Sequence, residues 1–248
     1  MAIEIPDITR PDRATVEALA ELGSATVSSS LSRLGIRDVH LTGLPNWTPG
    51  KAMAGPAVTL QFMPKREDQY QQDEYSDPEE QLHRHALYMC QEGDIVVVDA
   101  RGNMSSGVFG DMMLTYFAGK GGAGAVIDGC IRDWPKARKL ERLGFWIKGV
   151  TPNFHTQTDI FPYAVNVPIA CCETLVMPGD IMVADDDGVA VVPASMTDAL
   201  LERASVQHEW EDFSRERLMQ GGDLRRYYPL HDDARAEYEQ WKREKGKA

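Results

Sequence analysis

No apolar run in the sequence approaches the roughly twenty residues that a membrane-spanning helix requires, which argues against a protein threaded through a bilayer in that way. No block of lysine or arginine is present that could track a phosphate backbone. Asp and Glu outnumber Lys and Arg by 38 to 26, a formal net charge of −12, so neither nucleic acid nor an anionic membrane is an expected partner. Cysteine is scarce. Cys90, Cys130, Cys171 and Cys172 include no C-x-x-C pair, and two are adjacent, a poor geometry for a disulfide framework. Residues 1–13 lack the basic segment and apolar stretch of a secretory signal, and with the cysteine usage this points to a reducing cytoplasm. What is present, 43% hydrophobic and 26% charged residues over a 248-residue chain, is the balance of a globular protein with a sizeable core. The expected division is one main domain, residues 1–222, and a helical tail, 223–248.

Hydrophobic periodicity places the elements. Asp12 to Leu22, and a run capped by Ser24 and stopped by Gly35, read as two opening helices. Apolar runs at 57–62, 95–98, 125–127 and 145–147 read as strands, with helices over 79–93, 111–118 and 133–143 between them. That alternation is the signature of an α/β layered fold. Residues 64–80 have no apolar period and read as a polar insertion or lid. G-D-I-V-V-V-D at 93–99 is echoed by G-D-I-M-V-A-D at 179–185, each a turn before a buried strand ending on aspartate. Asp185 to Gly188 then reads as a hairpin turn rather than a calcium loop, which needs alternating ligands over about twelve residues. A helix with the stripe Met196, Leu200, Ala204 and Trp210 follows, with Ser195 and Asp198 as a capping pair and Gly221 and Gly222 as its stop. A last polar helix, Asp232 to Lys245, carries Tyr238 and Trp241 on one side and is expected to dock on the body or on a neighbouring subunit.

Several signals fail on context. G-K-G-G-A-G at 119–124 fits a dinucleotide glycine pattern but leaves a helix and enters a strand, the reverse of the required order, so it reads as a helix stop. His83 and His85 are two apart on a helix, diverge, and read as helix-surface residues. Cys171 and Cys172 read as core packing. Lys148, at a strand end, is a candidate Schiff-base amine, with no sequence neighbour that marks it as desolvated.

One constellation carries chemistry. Glycines at 102, 107 and 110 lead into Asp111, where a helix begins. The first-turn amides of that helix, from Met112 and Met113 beside Gly110, suit an incoming carboxylate. Arg132 and Asp133 follow at the end of the next strand, and a parallel sheet brings both loops to one edge. A divalent metal held by Asp133 would chelate a 2-oxo acid, Arg132 would place charge beside the keto oxygen that becomes an enolate, and Asp111 would do acid–base work through water. On spacing alone the alternative stays open: Asp111 caps its helix, and Arg132 pairs with Asp133.

The spacing D-x(20)-R-D within G-D-M-M-L-T-Y-F-A…G-A-G-A-V-I-D-G-C-I-R-D, with the later P-G-D-I-M-V-A-D-D-D-G-V-A-V-V-P, resembles the signature of the RraA-like family over residues 15 to 210. That family includes 4-hydroxy-4-methyl-2-oxoglutarate/4-carboxy-4-hydroxy-2-oxoadipate aldolases and regulators of ribonuclease activity. The resemblance implies a swivelling β/β/α sandwich assembled as homotrimers or homohexamers. It implies a class II pyruvate aldolase with oxaloacetate decarboxylase side activity, in which Asp133 binds Mg2+ or Mn2+, Arg132 holds the keto oxygen and the amides after Asp111 bind the carboxylate. Glu209, in the stretch matching the family's long C-terminal helix, would reach a neighbouring subunit's site. Regulator-type members lack the aspartate after the arginine, so Asp133 favours an enzyme over a non-catalytic regulator that binds an RNA-processing enzyme. The chain departs from the pattern at Ser30, where the family's early helix carries aspartate, at 64–80 and beyond Gly222, which leaves the substrate open.

Overall fold

A computed structural model of the chain describes residues 5–70, 78–154 and 158–246, with the side chains at 78 and 205–209 outside that description. Four apolar runs form strands β1 (Met53–Pro64), β2 (Ile95–Gly107), β3 (Gly124–Ile131) and β4 (Gly144–Val150). Each is parallel to the one before it. They read as continuous rather than alternating runs because helices and a hairpin cover the sheet on both sides, and every residue of β3 is buried. The hairpin of β8 (Ile181–Asp185) and β9 (Gly188–Val192) extends the sheet antiparallel beyond β1, giving the order β4-β3-β2-β1-β8-β9. Strand β5 (Ile160–Val165) pairs with the far half of β1, and β6 (Ile169–Cys171) with β7 (Thr174–Val176) forms a separate hairpin.

The two-residue period of the strands sorts the core into two layers. Val58, Leu60, Val96, Val98, Ile127 and Ile147 pack with Leu87 of α2 (Leu82–Met89) and with Leu114 and Phe117 of α3 (Asp111–Gly119). On the opposite face Ala57, Ile95, Val97, Val126 and Trp146 pack with Ile169, Cys171 and Val176 of the β6–β7 hairpin. Hairpin, sheet and helices make the layered α/β arrangement that the alternation of elements implied.

Helix α1 (Arg13–Arg33) is two helices joined at Gly23, whose φ of 74° and ψ of 163° break the spiral. Asp12 accepts the Thr15 N–H and caps the first half. The second half restarts at Ser24, whose N–H and hydroxyl both donate to the Asp185 carboxylate at 2.7 and 2.6 Å. The cap expected from Ser24 is therefore supplied by Asp185, remote in sequence, and a Cβ on residue 23 would stand 3.1 Å from that carboxylate. Ser30 is buried in the same helix.

The internal echo is structural in its first half. Asp94 accepts the Gln91 N–H at 2.7 Å, and Asp180 accepts the Met177 N–H at 2.8 Å, so each strand is entered through the same aspartate-locked turn. Its second half diverges, because Asp185 ends β8 whereas Asp99 lies inside β2, which continues to Gly107. The expected helix over 133–143 also shortens. Helix α4 spans Trp134–Ala137, and the three-residue spacing of Ala137, Leu140 and Leu143 then continues as i→i+3 turns.

The chain divides into two compact units, Met1–Thr197 and Asp198–Ala248. The division falls earlier than the boundary at 222 because Phe213 of α5 (Thr197–Met219) shares a core with Tyr227, Ala234 and Trp241 of the tail. Those residues come from α6 (Leu224–Tyr227), the turn after it and α7 (Arg235–Glu244). Tyr227 and Arg217 both donate to Glu237, and Trp241 donates to Glu216. No helix among the described residues is long and apolar enough to cross a membrane.

Burial pushes the Asp185 carboxyl upward, but the two hydrogen bonds from Ser24, together with those from the Asp187 and Gly188 amides, outweigh it and hold the group below the ordinary aspartate value near 3.8. Its contribution to stability is therefore complete above that value and lost as pH falls through the lower folded value. Asp185→Ala is expected to lower unfolding free energy in urea by about 1–3 kcal/mol at pH 7, and the gap to the parent protein is expected to shrink with acidification. A pH-independent gap would contradict this assignment.

Candidate functional site

Strands β2 and β3 end side by side, and their exits are hydrogen-bonded to each other. Val108 donates its N–H to the Cys130 carbonyl, and Arg132 donates to the Phe109 carbonyl, both at 3.0 Å. Gly110 directly follows Phe109, and Asp133 directly follows Arg132, so the second bond sets the two loops side by side. Gly110 is the N-cap of α3, so helical geometry leaves the N–H groups of Asp111, Met112 and Met113 without intrahelical acceptors. The Asp111 N–H faces Asp133 Oδ2 at 3.4 Å. Asp133 adopts a left-handed conformation, φ 61° and ψ 31°, which aspartate tolerates better than most residues. Its carboxylate also lies 3.6 Å from Arg132 Nε.

Gly110 is what lets these groups meet. A Cβ there would lie 2.9 Å from both Arg132 Nε and Asp133 Oδ2, closer than real contacts allow. The Asp111 side chain reaches Lys136 Nζ at 3.1 Å. The hydrogen bond from Lys136 holds the Asp111 carboxyl below the usual aspartate range, against a smaller opposing effect of burial. The Arg132 guanidinium lies 5.8 Å from the centre of the Phe154 ring. Around them is a cleft of about 140 Å3, walled also by Gln81, His83, Arg84 and Val108. That is below the ~300–1,000 Å3 of drug-sized sites and suits a small anion.

The structure thus brings together Asp111, Arg132 and Asp133 with Gly110, Met112 and Met113. It also sorts the alternative reading of these residues. The Arg132–Asp133 ion pair exists, with both side chains about one-third exposed at 38% and 33%, but Asp111 does not cap α3. Glu209 lies in α5 of the second unit, and its side chain is outside the described residues. The same holds for 71–77 of the expected lid, of which Lys65 to Tyr70 are described as a bend carrying a Tyr70–Phe161 ring contact.

Sequence reading missed His83, Arg84, Gln81 and Phe154. His83 was expected on the helix surface and is instead buried, at 2% exposure. The signal was available: residues 83, 86, 87 and 90 follow the i, i+3, i+4, i+7 spacing of the buried stripe, so His83 belongs to it. Lys148 forms an ion pair with Asp128 on the face that carries Trp146. Burial alone would lower its pKa, but Asp128 more than offsets this and holds the ammonium above its ordinary value, unsuited to a Schiff-base nucleophile at neutral pH. Cys171 is buried as expected, whereas Cys172 is half-buried and donates its N–H to Asp128.

No group of three His, Cys, Asp or Glu side chains capable of holding a metal occurs among the described residues. Among the described residues, Asp111 lines the cleft and the Asp133 carboxylate stands beside it, 3.4 Å from the Asp111 N–H. Such a donor set fits Mg2+ or Mn2+, which bind through one or two carboxylates and complete their shell with water and substrate, and does not fit a closed zinc site.

The sequence profile described as RraA-like, Aldolase/RraA, matches residues 24–191. A Halalkalibacterium halodurans protein provisionally named 4-hydroxy-4-methyl-2-oxoglutarate aldolase is 36% identical over 134 residues, which cover 54% of this chain and 62% of that protein. Among solved structures, Streptomyces coelicolor RraAS2, described as an unusual member of the RNase ES inhibitor RraA family, superposes with a TM-score of 0.76 at 42% identity, covering 84% of this chain and 98% of that one. An uncharacterized Pseudomonas syringae protein, 24% identical with a TM-score of 0.75 over 92% and 100% of the two chains, shares the fold.

Lys136→Met is expected to raise the midpoint of the Asp111 carboxyl toward the ordinary aspartate value, as read by carboxyl 13C NMR titration. An unmoved midpoint would show that the ion pair does not set the charge of Asp111.

Proposed function

The chain belongs to the RraA-like (Aldolase/RraA) family, and on that premise we propose that it is a divalent-metal-dependent carbon–carbon lyase. It would release pyruvate from a 4-hydroxy-2-oxo acid and decarboxylate oxaloacetate as a second activity. The observation that carries the reading is the convergence on Gly110 of a carboxylate, a guanidinium and the N-terminal turn of a helix.

The amides of Met112 and Met113, reinforced by the helix dipole, hold the substrate carboxylate. The Arg132 guanidinium lies beside the keto oxygen and stabilises the negative charge that arrives there when the bond between C3 and C4 breaks. Asp133, with Asp111 behind it, would hold Mg2+ or Mn2+, which supplies Lewis-acid charge at the same oxygen. Asp111, kept ionised by Lys136, is too weak a base to take a proton outright at neutral pH. It acts by accepting a hydrogen bond from the water that removes the 4-hydroxyl proton and later returns one to C3. In oxaloacetate the same charge stabilisation serves loss of the C4 carboxylate. The reading includes a homotrimer or homohexamer in which Glu209 approaches the site of a neighbouring subunit.

A second reading is a non-catalytic regulator of an RNA-processing enzyme, favoured by the 42% identity to RraAS2. Asp133 is the discriminating residue. With added Mg2+ or Mn2+, pyruvate release from 4-hydroxy-2-oxo acids and from oxaloacetate is expected in a coupled assay, abolished by chelator. Asp133→Asn, which keeps a residue that tolerates the left-handed backbone, is expected to reduce kcat/KM by at least 100-fold with the melting temperature retained. Turnover that survives this substitution would refute the metal role, and metal-independent inactivity beside a measurable complex with a ribonuclease would favour the regulator.

A further inference from the structure

We propose that the cleft opens into a second chamber that receives an apolar, ring-sized group at C4 of the 2-oxo acid, so that this chain prefers aromatic or branched substrates over dicarboxylates; the proposal rests on the reading of the first chamber as a 2-oxo acid site. The second chamber measures about 250 Å3 and is walled by Arg84, Leu87, Tyr88, Met112, Met113 and Tyr116. Arg84, Met112 and Met113 wall the first chamber too, so the two adjoin along the start of α3.

Its lining is carbon-rich and held in place. Leu87 forms a floor at 1% exposure. The Tyr88 and Tyr116 rings meet edge to face, with centroids 5.8 Å apart. Lys120 fixes this wall, donating to the Tyr88 carbonyl at 2.7 Å while its ammonium sits 5.8 Å from the centre of the Tyr116 ring. Met112 is 75% exposed and Tyr116 44%, leaving apolar surface that a ligand group would cover. Two methionines beside two tyrosines make an adaptable lining that favours an aromatic ring through sulfur and edge contacts. A second carboxylate finds less there. The one cation among the lining residues is Arg84, which also walls the first chamber and donates through Nε to Gln81 at 2.5 Å.

Calorimetric binding of 4-phenyl-2-oxobutanoate and of 2-oxoglutarate, which differ in bearing phenyl or carboxylate at C4, tests the chamber without requiring turnover. With Mg2+ present, the phenyl compound is expected to bind at least tenfold more tightly, and Tyr116→Ala to remove about tenfold of that preference. In turnover, the same variant is expected to raise KM for a 4-phenyl-4-hydroxy-2-oxo acid while leaving oxaloacetate decarboxylation within twofold. Equal or tighter binding of 2-oxoglutarate, or a preference that Tyr116→Ala leaves intact, would overturn the proposal. So would a change in sedimentation mass for Tyr116→Ala, which would mean that a second copy of the chain covers this face. A chamber that binds phenyl compounds in a protein that turns over none of the substrates would instead count against the lyase reading and uphold the chamber.

Discussion

Two backbone hydrogen bonds, Val108 to Cys130 and Arg132 to Phe109, hold the rest of the site in place. They prolong the parallel pairing of β2 and β3 past the end of the regular ladder, so the loop that starts α3 and the loop that carries Arg132 and Asp133 leave the sheet in fixed register. Everything polar in the cleft follows from that register. The helix start faces the Asp133 carboxylate, Gly110 leaves room for the Arg132 guanidinium, and Lys136 at the end of the next turn reaches Asp111. Parallel strands buried on both faces are stiff supports, and a site hung from their carboxyl ends inherits that stiffness.

The charge of the whole molecule runs against the proposed ligand. A chain with net charge −12 repels an oxo acid at long range, yet the cleft concentrates Arg132, Arg84 and a helix N-terminus at one edge. The two carboxylates there do not cancel this local field. Asp111 is matched by Lys136, and Asp133 is shared between Arg132 and the Asp111 amide. Two buried carboxylates elsewhere are held by close cation partners. Arg10 grips Asp94 through two nitrogens, and Lys148 is committed to Asp128. The cleft pair differs because both members stay partly in water, with the loose geometry of 3.6 Å rather than a tight bidentate bond.

Much of this was legible in the residues because the strands are continuous apolar runs between glycine turns, a pattern with few competing interpretations. The hairpin at Asp185 to Gly188 and the helix stop at Gly119 to Gly122 were legible for the same reason. Short strands were not: β5 contains Pro162, and β6 and β7 have three residues each, too few for any period to register. Asp185 was read as the end of a strand, and its second role as the cap of the distant Ser24 helix depends on a tertiary contact that no local pattern encodes. In the site, Asp111, Arg132 and Asp133 stand out through their match to the family signature, whereas their strand–helix–strand spacing alone leaves the cap and ion-pair reading open. His83 shares the helical spacing of Ala86, Leu87 and Cys90, so its burial is encoded in the stripe even though histidine is a polar residue. Phe154, beyond β4, had no periodic or motif context to mark it.

The central claim is that the groups meeting at Gly110 bind a small 2-oxo acid together with a hard divalent cation. Mn2+ binding followed by electron paramagnetic resonance, with and without oxalate as a mimic of the pyruvate enolate, tests it most directly. The account predicts one Mn2+ per chain, bound more tightly when oxalate is present and lost in Asp133→Asn. Mn2+ binding that ignores both oxalate and that substitution would contradict it.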